Sequence, residues 1–223
     1  MSGEELFAAI AGHDQAAVER ILAADPAAAA AVDANGVSAL LTAAYHGNDA
    51  AAAAIRATGH ELNVFEAAAV GDLARIRALV DADPALARAV APDGFQPLGL
   101  AAFFGHSSVV SFLIAAGADV SAPSRNRMSV TALHSAIAGR DRASALALIA
   151  AGADVNAKQQ DDFTALHEAA QNGDREIVDA LLAAGADPSL TLSKSGERPA
   201  DLARTHGHPE IAQVLEQAPP GSG

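Results

Sequence analysis

Apolar residues along this chain fall in short runs with helical spacing, broken at close intervals by glycine, proline or aspartate. In residues 94–120, "GFQPLGLAAFFGHSSVVSFLIAAGADV", Leu98, Ala101, Ala102 and Gly105 lie three or four apart or adjacent, and Val109, Val110, Leu113 and Ile114 repeat the arrangement. Apolar positions at i, i+3 and i+4 give a short helix one face to bury, so the segment predicts two helices. Turn chemistry marks their ends. Thr131 and Thr164 stand where an N-cap belongs, Pro97 and Pro199 where a first-turn proline is tolerated, and Gly117, Gly152 and Gly185 where a left-handed residue closes a helix.

The two-helix pattern returns along the chain. Residues 94–120 align with 129–155 and with 162–188; Gly117, Gly152 and Gly185 are spaced by 35 and then 33 residues, and the two extra residues fall in "SAPSRNRMSVTALHSA", 121–136. A shift of 58 carries Phe7 onto Phe65, Asp25 onto Asp83, Pro26 onto Pro84, Gly36 onto Gly94, Leu40 onto Leu98 and Gly59 onto Gly117, which reads as a duplicated pair of units. A degenerate last unit includes residues 195–217, and "APPGSG" reads as a flexible tail, 218–223. Seven units result: 1–33, 34–62, 63–90, 91–120, 121–155, 156–188 and 189–217. A helix pair this small cannot bury its apolar face alone, so a single stacked all-α domain, 1–217, with its end units as caps and no linker to another domain, is expected.

These residues resemble the ankyrin repeat family, whose units read G-x-T-P-L-H-x-A-A-x-x-G-H, then a second helix, then L-L-x-x-G-A-D. Thr164, Ala165, Leu166 and His167, with Ala169, Ala170 and Gly173, are the best copy. The resemblance implies a solenoid of helix-turn-helix units with projecting hairpin-like loops. It also implies a non-catalytic, protein-binding role. Some units depart from the pattern: the first and third lack the T-P-L-H stretch, and Leu41 and Gly99 replace its histidine, which leaves hairpin regularity open. In the first and fifth units the helix-ending glycine, Gly12 or Gly139, comes one residue early. Either the helix is shortened there, or His13 and Arg140 take the left-handed position.

Composition narrows the classes of function. The 51% hydrophobic content is inflated by alanine, the best helix former, and aromatics are only 4%. No run reaches the roughly 18 apolar residues that a membrane span needs, and the start "MSGEELFAAI" is acidic where a secretory signal is basic. A soluble, non-exported protein with no membrane partner is expected. The absence of cysteine removes disulfides and thiolate metal sites and fits a reducing cytoplasm. A net charge of -13 argues against nucleic acid, whose phosphates require a basic face.

Candidate chemistry reduces mostly to scaffold. His167, Glu168 and Gln171 fall one residue short of the zinc-protease pattern H-E-x-x-H, because Gln171 replaces the second histidine. His206 and His208 lack the carboxylate or cysteine company of a metal site, and His46, His60 and His106 are scattered. No nucleophile elbow or phosphate-cradling loop is present. Neither a catalytic residue nor a metal or cofactor is expected, and the alternative is a small-molecule or enzymatic site in the groove of the stack.

Surface positions carry the functional reading. Advancing by roughly 100° per residue from Leu98 puts Phe103 and Phe104 opposite the buried stripe, in the columns held by Tyr45 and His46 in the second unit and by Gln171 and Asn172 in the sixth. In the ankyrin family such columns, with the loops before each unit, usually contact partners. Carried over, this adds Phe95 in the fourth unit, Arg125, Arg127 and Met128 in the fifth, and Gln159, Gln160, Asp161, Phe163 and Glu168 in the sixth. Two readings stand for the phenylalanines, partner anchors or packing between units. Two also stand for Arg125 and Arg127: partner contacts, or a solvated tip with one arginine bonded to Asp161 or Asp162. The expected function is a monomeric adaptor or regulatory subunit that binds another protein through the concave groove and loop tips of the fourth to sixth units.

Overall fold

A computed structural model describes residues 2–219; Met1 and residues 220–223 of the expected tail lie outside them. The described residues form seven helix pairs. These are α1 (Ser2–Ala11) with α2 (Gln15–Ala24), α3 (Ala39–Tyr45) with α4 (Asp49–Ala57), α5 (Val64–Ala69) with α6 (Leu73–Ala82), and α7 (Pro97–Phe103) with α8 (Ser107–Ala115). Then come α9 (Ala132–Ala138) with α10 (Arg142–Ala150), α11 (Ala165–Asn172) with α12 (Arg175–Ala183), and α13 (Pro199–Thr205) with α14 (Pro209–Gln217). Short 3-10 turns follow α2 (Pro26–Ala30) and α6 (Pro84–Arg88), so the order of elements after α4 repeats the order before it. That is the pairwise duplication seen as the 58-residue shift. No described strand interrupts the stack, which is the all-α solenoid that the resemblance implies.

Local chemistry sets each helix. Five of the seven outer helices start on a side chain that takes an orphan N–H: Asp14 accepts from Ala17, Asn48 from Ala51, Asp72 from Arg75, Asp141 from Ser144 and Asp174 from Ile177. In the fifth and sixth units the Thr131 and Thr164 hydroxyls lie 2.8 Å from Nδ1 of His134 and His167. The third unit, which lacks that pair, rebuilds the reciprocal cap with other residues. Asn63 Oδ1 accepts from the Glu66 N–H at 3.0 Å, and Glu66 Oε2 accepts from the Asn63 N–H at 3.0 Å. The buried Glu66 carboxylate then faces His60 Nε2, also at 3.0 Å.

First helices pack on first helices from α1 to α13, and a continuous core lies between them and the outer row. One column explains the alanine content. Ala43, Ala67, Ala101, Ala136, Ala169 and Ala203 occupy equivalent places in successive first helices, and each is fully buried. A methyl group is all that the gap between neighbouring helices admits.

The early glycines keep their helices in step with the others. His13 and Arg140 have φ of 52° and 55°, the left-handed geometry that glycine supplies elsewhere, as at Gly105 and Gly173. Gly139 itself has φ of -73° and needs no special conformation. Its reason is space, because a Cβ there would lie 2.1 Å from the Phe103 carbonyl oxygen at the end of α7. Arg140 therefore bears a backbone cost that its neighbours avoid. Replacing it with glycine is expected to raise stability by about 0.5–1 kcal/mol, read as a higher urea midpoint, and an unchanged or lower midpoint would contradict this.

Loops between the pairs are unequal, and this shapes the surface. Only residues 60–63 separate Gly59 from α5, whereas 118–131 separate Gly117 from α9. Lacking a projecting loop, the third unit lets its neighbours meet over α5. Gly36, in the loop before α3, approaches Pro92 so closely that a Cβ would lie 3.0 Å from that ring. Further along, backbone bonds join loop to loop: Arg125 N–H donates to Gly94 O at 2.8 Å, Gln160 N–H to Met128 O at 2.9 Å, and Ser193 N–H to Asp161 O at 3.1 Å. Hairpin pairing within loops is sparse: among the described residues the isolated bridges join Val32 to Ser38 and Lys158 to Thr164, and other loops close on a backbone bond, as where Ala91 N–H donates to Phe95 O at 2.8 Å and Ser124 N–H to Val130 O at 2.8 Å.

Candidate functional site: an apolar groove under the loops

The converging loops, with α7 and α9 beneath them, enclose a groove of 520 Å³. Val37 and Tyr45 close one end, Asp93 and Phe95 descend from the loop before α7, and Leu100 and Phe103 come from α7 itself. Met128 and Val130 form the roof from the long loop, Ser135 and Ala138 the floor from α9, and Gln159 and Glu168 the far wall. Tyr45, Phe103 and Met128 are 39%, 43% and 49% exposed. Only one other large apolar side chain, Val32, is so open among the described residues. A second groove of 430 Å³ shares Met128 and Gln159 and runs on between the loop tips past Gln160, Asp161 and Phe163.

The two adjacent phenylalanines have separate tasks. Phe103 projects into the groove. Phe104 is half-buried against the core, with its ring 5.1 Å from Phe103 edge-on and 5.8 Å from Tyr45. Tyr45 reaches past the whole third unit and donates its hydroxyl to Asp93 Oδ2 at 2.7 Å. Burial and the Asp93 carboxylate push the phenol pKa well above its ordinary value, so it stays a donor. Small residues in the third unit, Ala68 and Ala69, leave this passage free.

The long loop is held by its backbone and by Asn126. Asn126 Nδ2 donates to Asp93 O at 2.9 Å, and its Oδ1 accepts from Met128 N–H at 3.0 Å. Gly94 makes the docking possible, since a Cβ on it would lie 2.8 Å from the Arg125 carbonyl carbon. Arg125 and Arg127 are exposed, and among the described residues neither guanidinium makes an ion pair or hydrogen bond. The bond to Asp161 or Asp162 foreseen for one of them is not made. Lys194 takes Asp161 at 2.9 Å and Lys158 takes Asp162 at 3.5 Å.

Electrostatically the groove is one-sided. No lysine or arginine lines it. Asp93 is satisfied by Tyr45 and by the Phe95 N–H. The Glu168 carboxyl has no ion pair or hydrogen bond among the described residues, and burial alone pushes its pKa up to about 7. The equivalent places on the adjoining first helices hold Ser135 and Leu202, which explains the poor solvation. His134 borders the groove but belongs to the scaffold. Burial lowers its pKa to about 4, against the opposing pull of the Phe163 and Ala157 carbonyls.

Of the residues singled out from the sequence, Tyr45, Phe95, Phe103, Met128, Gln159 and Glu168 meet in the larger groove, and Gln160, Asp161 and Phe163 continue into the second. The rest stand apart. His46 is exposed, Gln171 is half-buried outside both grooves, and Asn172 turns back to donate to Ile137 O at 3.4 Å. Sequence reasoning missed Val37, Asp93, Leu100 and Ser135. The available signal was the short link before α5, which brings the second and fourth units' loops together. Among the described residues no three His, Asp or Glu side chains gather as a metal ion requires, and no helix is long and apolar enough to cross a membrane. His106 and His167 serve the stack: His106 Nε2 lies 2.9 Å from Ala69 O, and His167 Nε2 lies 3.3 Å from Glu197 O.

Comparison with curated proteins finds no match. The family model described as Ankyrin repeats (3 copies) matches residues 64–159 and 140–219, which together take in most of the stack, including all of the long loop and both grooves' acidic walls. With its seven helix pairs, its threonine–histidine caps and its left-handed glycines in register, the chain belongs to the ankyrin repeat family.

Proposed function

We propose that this protein is a non-catalytic binding module, an adaptor or regulatory subunit acting as a monomer in the cytoplasm, whose contact surface is the groove over α7 to α11 and the loop tips beside it. Ankyrin repeats are generally protein–protein interaction modules. The observation that carries the reading is the grouping of Tyr45, Phe103 and Met128, large apolar side chains left open around one 520 Å³ depression. Apolar area exposed in one place favours contact with another surface, at about 25 cal/mol per Å² removed from water. Aromatic residues and methionine are also the types that interfaces use as anchors.

The groove supports a narrower contact than the columns as a whole. Phe103 and Met128 serve as apolar anchors, and Arg125 and Arg127 stand at the rim, free to meet a partner's carboxylates or carbonyls. The test is a pulldown from native extract with the parent, the F103A/M128A variant and the R125A/R127A variant, all checked for equal melting temperature. Loss of the partner with F103A/M128A, and weaker, more salt-sensitive capture with R125A/R127A, is the expected result. Recovery of the same partner in full by F103A/M128A would overturn the site.

A further inference from the structure

We infer that the larger groove takes a lysine or arginine side chain from an extended segment of the partner protein, with the apolar stem along Phe103 and Met128 and the cationic head at Glu168. The inference rests on the binding reading above and specifies its occupant. Three observations point the same way. The walls are apolar and aromatic, which suits a methylene stem and places π faces near a cation. Among the described residues the lining contains two carboxylates and no lysine or arginine, and its one histidine, His134, is kept neutral by burial, in a chain of net charge -13. Of those carboxylates Asp93 is already satisfied, whereas Glu168 has no ion pair or hydrogen bond among the described residues.

That last difference chooses the position of the head. A carboxylate held among apolar atoms carries a desolvation cost that an incoming cation offsets, and the raised pKa of Glu168 expresses this cost. An apolar side chain alone would leave the cost in place. An anionic one would add repulsion. The second groove, opening past Gln159 toward the loop tips, gives the backbone of an extended segment a path away from the first.

The protein supplies its own reporters, because Tyr45 is the only tyrosine and Met128 is one of two methionines. The experiment titrates protein labelled at tyrosine and at methionine methyls with three blocked pentapeptides, Ac-Gly-Ala-X-Ala-Gly-NH2, at pH 8, following both signals by NMR. X is lysine, norleucine, which keeps the stem without the ammonium, or glutamate. Lysine is expected to bind at least tenfold more tightly than norleucine, and glutamate not at all. In E168Q the lysine peptide should fall to the norleucine level while the norleucine peptide is unchanged.

Equal affinity for lysine and norleucine would overturn the cationic occupant and leave the apolar groove standing as a contact surface. No binding by either would overturn it too, as would shifts caused by free butylammonium but not by the lysine peptide. Failure of the broader reading shows separately, as full partner capture by F103A/M128A.

Discussion

Replacing Gly139 with alanine should lower the melting temperature by about 5–10 °C, corresponding to roughly 2–3 kcal/mol for a chain of this size. The added methyl would meet the Phe103 carbonyl oxygen at 2.1 Å, and the Phe103 carbonyl carbon at 2.8 Å. These are backbone atoms at the end of a helix. They cannot rotate away as a side-chain tip would, so α7 and α9 must separate along a seam where Ala101 and Ala136 are both fully buried. In a repeat stack the loss falls on one interface between neighbours, so the fourth and fifth units should loosen first. The same movement would widen the groove that Phe103 lines. A double variant separates clash from backbone preference. In G139A/R140G the left-handed position regains its glycine while the methyl remains, so most of the loss should persist. A double variant as stable as the parent would show that only the placement of the glycine mattered.

That glycine illustrates what the sequence disclosed and where it stopped. The displacement of Gly139 by one position was visible against Gly105 and Gly173, and a left-handed Arg140 was one of the two outcomes it allowed, the one the structure adopts. The contact that requires a glycine at 139 was not visible, because it depends on the position of a carbonyl in the neighbouring helix. Repetition made the stack legible, since one helical pattern repeated with aligned glycines admits few other solutions. The groove was legible only in part. Helical angle placed Phe103 on the open side but could not distinguish it from Phe104, whose ring is drawn inward toward Tyr45 across the small residues of the third unit. Glu168 was identified as a column residue, not as an unpaired carboxyl. Its state depends on Leu202 and Ser135 two units apart in sequence and on a groove enclosed by loops from four units. The long loop's arginines drew attention by charge, yet Asn126 and Gly94 are what dock it.

The E168Q variant should be more stable than the parent at pH 8 by about 2 kcal/mol, with the advantage fading toward zero at pH 5. Glu168 has a folded pKa of about 7 against an ordinary value of 4.5, so the folded state holds its proton more tightly than the unfolded chain does. Its ionisation therefore weakens the fold as pH rises through that window and is without effect below it. His134 acts with the opposite sign. Burial takes its pKa from 6.5 to about 4, so the unfolded chain binds the proton first and stability falls as pH drops between those values. In the parent the two slopes largely offset each other between about pH 5 and 6.5. Removing the carboxylate should unmask the histidine, giving E168Q the steeper loss on acidification from pH 6.5 to 4. Urea midpoints of both proteins at pH 8, 6.5, 5 and 4, with unchanged denaturant slopes, measure this directly. A stability difference that is the same at pH 8 and pH 5 would mean that Glu168 is solvated, and would remove the cost on which a cation in the groove depends. The expected result instead makes Glu168 a residue that weakens the free protein, as a side chain kept for binding can do.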